Sequence, residues 1–353
     1  MEVVFWLCIG GVFATYVVYP LIIVALGAMS SGSARDTDHT PKVTMVISAY
    51  NEEAVIQAKL ENTLAIDYPA EKLEIFVISD DSTDATDDIV RGFANRGVRL
   101  QRQEPRGGKS RGLTRFIPMA SGEILVFSDA NSIYNPAAMR ELVRPFSDHR
   151  VGYVVGHQRN VEDDDSPVSV SERLYWWLEV HLKRGESRIG SVVGGDGAIF
   201  AIRTHLFSPL EDDDLSDFVL PLRIVVDGYR GVFQESAHCS EHVAGSFSGE
   251  FRRKSRIVNR ALTAVMRVPA ALNPARVGWF ALQLFFHKVL RWFVPYLLLS
   301  ALAANVMLVM AGTSIVYVYL LAVQSTVYVL AAFGGSRTLR QIPAIYVLYY
   351  FCL

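Results

Sequence analysis

The segment GEILVFSDANSIYN (Gly122–Asn135) decides how this chain is read. Its apolar run, Ile124–Phe127, stops abruptly at Ser128-Asp129-Ala130-Asn131. A short apolar run bounded by turn formers is a buried strand. Asp129 then stands at the strand's C-terminal tip, and open α/β sheets bind ligands beyond such tips. Asp129 and Asn131 can aim oxygen ligands at one divalent cation, Mg2+ or Mn2+. An ordinary Asp/Asn turn explains the same tetrapeptide equally simply.

Upstream, two further runs end in the same way. Lys42–Ala49 (KVTMVISA) leads into Tyr50-Asn51-Glu52-Glu53, with a helical pattern to Leu64. Leu73–Ser79 (LEIFVIS) leads into Asp80-Asp81-Ser82-Thr83-Asp84, a turn and helix cap before Ile89–Ala94. Val98–Gln103 is a third strand, and Arg106–Ser110 (RGGKS) precedes another helix. Strands alternating with helices, with polar residues after each strand, indicate a nucleotide-binding α/β sheet. Gly107-Gly108-Lys109-Ser110 is not a P-loop, because Gln103 stands where that pattern needs its first glycine. A lysine in a glycine-rich loop still suits a diphosphate.

Downstream, Val151–Gln158 is another strand and Glu162–Ser166 an acidic turn. Ser171–Arg184 is an amphipathic helix carrying Tyr175, Trp176 and Trp177. Three adjacent aromatics suit a sugar-stacking surface or a membrane interface, and core packing with one exposed ring is the plainer alternative. Gly194-Gly195-Asp196-Gly197 is a flexible acidic turn before the strand Ala198–Ile202. Asp217 opens a helical run, Phe218–Val226, where an acid either caps the helix or acts as a general base.

The composition points to a soluble domain fused to membrane helices. Of 353 residues, 51% are hydrophobic, yet 20% are charged, and mean hydropathy is +0.24. A net charge of −2 does not suggest nucleic-acid binding. Cys8, Cys239 and Cys352 outline no disulfide framework, and His238, Cys239 and His242 lack the second cysteine pair of a zinc site. Val3–Met29 is uncharged and without a cleavage pattern, so it is expected to be a membrane helix. Ser30–Thr40 is a polar linker. Phe251–Arg260 (FRRKSRIVNR) precedes an amphipathic stretch, Pro269–His287, expected to lie along the membrane interface. Val289–Ala311 and Ser314–Phe333 are expected to span, and Ile342–Leu353 begins a further apolar stretch too short to cross, as if the chain were incomplete there. Basic residues at 252–291 and 337–340 place the soluble domain in the cytoplasm by the positive-inside rule. No internal repeat is evident.

In this order the motifs resemble the membrane-integrated family 2 glycosyltransferases, the group that includes the cellulose, chitin, hyaluronan and poly-N-acetylglucosamine synthases. The resemblance covers nearly the whole chain. It implies an α/β GT-A fold, a nucleotide-binding mixed sheet flanked by helices, fused to transmembrane and interface helices. It implies domains at 1–29 (transmembrane), 30–41 (linker), 42–249 (cytoplasmic catalytic domain), 250–287 (interface helices) and 288–353 (C-terminal membrane helices). Ala49, Tyr50, Asn51 and Glu52 are similar to the strand-end motif that lines the nucleotide. Asp80 matches the acid contacting uridine, and Lys109 the basic residue near the diphosphate. Asp129 matches the first acid of the metal-binding DxD, with Asn131 in place of the second. Asp217 matches the catalytic Asp of the TED motif, with Ser216 where Glu is frequent. Gly194, Gly195 and Asp196 resemble the loop beneath donor sugar and acceptor. Arg253–Ile257 occupies the place of the QxxRW motif; Arg256 fits its Arg, while Arg253 and Ile257 replace Gln and Trp. HKVLRW (His287–Trp292) resembles the junction before the membrane spans.

The resemblance implies inverting transfer from a UDP-sugar, with Mg2+ or Mn2+, to a growing polysaccharide at the inner or plasma membrane. Transfer of one or a few sugars to a lipid acceptor is the alternative. It also leaves room for membrane lipids, a second copy of the chain or an export component as partners. A non-catalytic membrane scaffold is a third reading, against which Asp80, Asp129 and Asp217 argue.

Overall fold

Two runs of β-branched and aromatic residues form the centre of the sheet, β1 (Val43–Ala49) and β2 (Leu73–Ser79). Both are almost wholly buried, as expected of parallel strands covered on both faces. Full burial of a side chain such as Ile47 or Phe76 contributes about 1.5–3 kcal/mol. The other strands are β3 (Val98–Arg102), β4 (Ile124–Asp129), β5 (Ile133–Tyr134), β6 (Val151–Val161), β7 (Phe200–Arg203) and β8 (Arg230–His242). The computed structural model describes residues 1–30, 39–161, 167–242 and 247–333. The sheet order is β3-β2-β1-β4-β7-β6-β8-β5. The strands β3, β2, β1 and β4 run parallel; β7 is antiparallel to both its neighbours, and β6 and β8 are parallel.

The register places the strand ends together. Ala49 pairs with Ser79, and Ser48 with Asp129. Tyr50, Asp80 and Asp129 therefore collect along one edge of the sheet.

The helices are α1 (Glu2–Met29), α2 (Ile56–Leu64), α3 (Thr86–Gly92), α4 (Lys109–Phe116), α5 (Ala138–Val143), α6 (Pro167–Ile189), α7 (Ser216–Val226), α8 (Phe247–Arg267), α9 (Trp279–Met310) and α10 (Ile315–Phe333). The chain divides into two compact units, Met29–Val161 with Glu186–Leu282, and Met1–Ala28 with Glu162–Gly185 and Gln283–Leu353.

The first unit holds the sheet. In the second, α1 and α9 are long and apolar enough to cross a membrane, by length and composition. They pack through Phe5, Cys8, Ala301, Ala304 and Leu308, with Tyr317 of α10. Each carries a π-helical turn, Ala14–Val18 and Phe285–Val289. Glu179 of α6 is buried beside His287 of α9 (Oε1–Nε2 2.9 Å) and Arg291 (3.4 Å). Gly27 and Gly185 let α1 and α6 touch backbone to backbone: a Cβ on Gly27 would stand 2.6 Å from the Gly185 Cα.

Several expectations need correction. The strand expected at Ala198–Ile202 is Phe200–Arg203. The stretch Pro269–His287 is not one helix lying flat. It comprises a 3-10 turn (Pro269–Leu272), a single helical turn (Pro274–Val277) and, after Gly278, the first part of α9. Gly278 has φ +58, which ends the preceding turn, so the apolar helix begins at Trp279 and not at Val289. The strand β8 was not anticipated. Residues 31–38, the acidic turn at 162–166 and the stretch 334–353, with the expected last apolar segment, lie outside the described residues.

Candidate active site

The loops after β1 and β2 are tied to each other. Asn51 takes φ +54, a left-handed conformation that Asn tolerates better than most residues. Its Oδ1 accepts from Thr83 N (2.9 Å), and its own N–H donates to Ser82 Oγ (3.2 Å). Glu52 N donates to Thr86 Oγ1 (2.8 Å), Glu53 N to Asp84 Oδ2 (3.1 Å), and Ala85 N to Glu53 Oε2 (3.0 Å). Burial, with Asp129 and Asp84 nearby, raises the Glu52 pKa.

Asp80 organises the glycine-rich loop. Its Oδ1 accepts from Gln103 Nε2 (2.5 Å) and from the backbone N–H of Gly107 (2.8 Å) and Gly108 (3.0 Å). Burial opposes its charge, but these donors and Arg106 prevail, and its pKa is lowered. Gly108, at φ +88, turns the chain into α4. Lys109, the first residue of that helix, thereby reaches Asp129 (Nζ–Oδ1 2.6 Å). Arg106 lies over the Tyr50 ring, 3.6 Å from its centroid, a cation–π contact.

The second wall is built by Gly194–Gly197 and α7. Gly195 N donates to Asp217 O (2.5 Å) at the start of α7. The preceding loop is fixed by Ser110 Oγ on Asp214 O (2.7 Å). The buried Asp214 carboxylate takes Arg223 (3.3 Å) and Arg267 (2.7 Å). The two walls meet at Gly197. A Cβ built there would lie 3.4 Å from Asp129 Oδ2, 3.6 Å from Asp217 Oδ2 and 3.7 Å from Lys109 Nζ. Two carboxylates and an ammonium thus converge on one small space.

The convergence shows in their titration. Burial raises the Asp217 pKa, Lys109 counteracts it and Asp129 adds to it; the outcome is upward. Burial would also raise Asp129, but Lys109, Lys59 and Arg253 outweigh it and the pKa is lowered. Lys109 is lowered by burial yet raised more by Asp129 and Asp217. Two acids of one cleft are thus driven apart, the pattern of groups with different chemical tasks.

The comparisons with known proteins bear on this arrangement. Residues 44–209 match the family model Glycosyl transferase family 2. The chain carries a glycosyl transferase family 2 domain. It is 27% identical over 230 residues to the probable glycosyltransferase YdaM of Bacillus subtilis (strain 168), covering 61% of this chain and 54% of that protein. It is 26% identical over 228 residues to the poly-beta-1,6-N-acetyl-D-glucosamine synthase of Staphylococcus aureus (strain COL), covering 63% and 55%. The chain thus spans about half the length of the curated relatives it matches. The solved mannosyltransferase PcManGT from Pyrobaculum calidifontis, in complex with GDP-Man and Mn2+, superposes with a TM-score of 0.71 at 23% identity, over 99% of this chain and 96% of that one. The mixed sheet is the GT-A fold.

The anticipated Tyr50, Asn51, Glu52, Asp80, Lys109, Asp129, Gly194, Gly195 and Asp196 fall within the matched residues 44–209, and Asp217, just beyond them, meets Asp129 and Lys109 at Gly197. Asp196 caps its own turn through Ala198 N (3.3 Å). Arg253, exposed on α8, acts on Asp129 and Glu241 through its charge, whereas Arg256 is exposed further along that helix. Asn131 is exposed at the turn's tip. Trp176 and Trp177 belong to the other compact unit; Trp177 is exposed and packs on His181 at 4.1 Å between ring centroids. The Tyr175 side chain lies outside the described residues.

Sequence reading missed Arg106, Ser110, Asp214, Lys59 and Glu241. Lys59 had a signal: with Ile56, Leu60 and Thr63 it falls on the buried face of α2.

Proposed function

We propose that the chain is an inverting glycosyltransferase that moves a sugar from a nucleotide-sugar to the hydroxyl of a growing polysaccharide at the membrane. The observation that carries this is the convergence of Asp129, Asp217 and Lys109 at Gly197. In this reading Tyr50, Asn51, Glu52 and Asp80 line the nucleotide, and Lys109 and Arg253 face the diphosphate. Asp217 takes the proton from the acceptor hydroxyl as its oxygen attacks the anomeric carbon. The bond from that carbon to the diphosphate oxygen breaks on the opposite side, and the electron pair leaves with the nucleoside diphosphate. Lys109 then stabilises the charge that develops there. Arg256 is the less well placed of the two α8 arginines for this task.

A divalent cation fits the donor set as a shared ion. Among the described residues no group of three His, Cys, Asp or Glu side chains could hold one alone. Asp129 offers Oδ2 to the space at Gly197, and Mg2+ is held by one or two carboxylates together with substrate phosphates. Asp129 would hold it, Asn131 being the neutral second candidate. When bound, the ion neutralises the diphosphate leaving group.

The apolar helices α1 and α9 and the basic run at 252–260 support a membrane-embedded protein with its family 2 domain on the cytoplasmic side. A second reading, transfer of one or a few sugars to a membrane lipid, is favoured by Arg253 and Ile257, which replace the Gln and Trp of the synthase pattern. The experiment is transfer from radiolabelled UDP- and GDP-sugars by membranes carrying the protein, with and without Mn2+. Metal-dependent label in a high-mass polymer supports the first reading, and label in an organic-soluble lipid supports the second. No label from any donor rejects both.

A further inference from the structure

The turn that carries Asp129 is gripped from beneath by side chains of other elements. Lys59, on α2, is fully buried. Its Nζ donates to Ser128 Oγ (2.7 Å) and to Ser132 O (2.5 Å), and lies 4.2 Å from the centre of the Tyr134 ring. Glu241, on β8, accepts from the Ser132 hydroxyl and from Gln158 Nε2 (2.6 Å). One ammonium therefore clasps both ends of the five-residue turn, and one carboxylate anchors its far end to β8.

Such an arrangement is unfavourable as mere packing. Burial pushes the Lys59 pKa down to about 7 and raises that of Glu241. An apolar side chain on the inner face of α2 would fill the space without that desolvation. What the ammonium supplies, and an apolar group would not, is two hydrogen bonds to the turn bearing Asp129, one to the Ser128 hydroxyl and one to the Ser132 carbonyl.

The geometry points to Lys59 as the positioning residue for Asp129: by holding Ser128 and Ser132 it sets where that carboxylate meets the donor diphosphate and its cation, with Glu241 fixing the turn's other side. This rests on the role given to Asp129 above. Residues that orient a metal-binding carboxylate typically change metal affinity by about 10- to 100-fold when removed.

The test uses the full chain in detergent, with Lys59→Met, Ser128→Ala and wild type compared by calorimetric titration of UDP and of GDP, in Mn2+ and in EDTA, alongside the melting temperature. Lys59→Met should weaken Mn2+-dependent nucleotide binding at least about tenfold while binding in EDTA stays the same. Ser128→Ala, which keeps the ammonium but removes one of its acceptors, should shift the same quantity less and in the same direction; it carries the test if Lys59→Met does not fold. A purely structural lysine would lower the melting temperature and leave the Mn2+-dependent part intact, and that result overturns the inference alone. A wild type in which Mn2+ adds nothing to nucleotide binding overturns the role of Asp129 and this inference with it.

Discussion

The two walls of the cleft are built on opposite principles. The wall after β1 and β2 is closed by hydrogen bonds: Asn51, Glu52 and Glu53 exchange donors and acceptors with Ser82–Thr86, and Asp80 is held by two backbone N–H groups and Gln103. The wall around Gly197 instead brings Asp129 and Asp217 into one space with a single lysine between them. The first has the satisfied geometry of a surface that fits a fixed ligand. The second holds two carboxylates around one ammonium; burial raises the Asp217 pKa, while Lys109, Lys59 and Arg253 lower that of Asp129. In the proposed reading, recognition and chemistry are thus divided between two physically different surfaces.

The sharpest way to break this division is Asp217→Asn. It should reduce transfer by about 10²- to 10⁴-fold, the contribution of a general base, while nucleotide affinity by calorimetry changes little. Loss of both together would place Asp217 in the binding wall. Asp129→Asn should come next in size, abolishing the Mn2+-dependent part of nucleotide binding and leaving the metal-free part. Equal binding curves in Mn2+ and EDTA for wild type and variant would remove the cation from Asp129.

The pH dependence follows from the raised Asp217 pKa. A base must be ionised, so the acid limb of kcat/KM should lie above the ordinary aspartate range. The stability consequence has the opposite sense. A group whose pKa is raised by folding contributes most below its unfolded value, and that contribution is lost as pH rises through the folded value. At neutral pH the ionised side chain is therefore a burden, and Asp217→Asn should raise the melting temperature there, with the gain vanishing in acid. Unchanged melting at neutral pH would mean that Lys109 fully compensates the carboxylate. The smallest effect belongs to the hydrogen-bonded wall: Thr86→Val removes the acceptor for Glu52 N and should cost about 1 kcal/mol in denaturant unfolding, with kcat unaltered.

What was legible in the sequence follows the same line. The strands β1, β2 and β4 could be read because strands covered on both faces are continuous apolar runs, and their polar tips then named Tyr50, Asp80 and Asp129. The strand β8 could not be read that way. Its inward positions near the site are Ala237, Cys239 and Glu241, so the alternation that marks a half-buried strand is carried partly by a glutamate. Lys59 was hidden by the same effect, a charge on a face that pattern reading assigns to apolar residues. Asp214 and Arg267 meet across 53 residues of chain, and no local pattern records such a pairing. The start of α9 was misplaced because the amphipathic stretch Pro269–His287 was read as an interface helix, with a span beginning at Val289, while a π-helical turn at Phe285–Val289 carries one helix through that boundary.

The glycine pair at 27 and 185 bears on how freely this chain can drift. Every non-silent single-base change in a glycine codon either adds a side chain or ends the protein. At both positions even a methyl group would collide with backbone atoms of the facing helix. The contact between α1 and α6 thus has no mutational neighbour that preserves it, and the two positions are locked as a couple: neither can be repaired by changing the other, since both already hold the smallest residue there is.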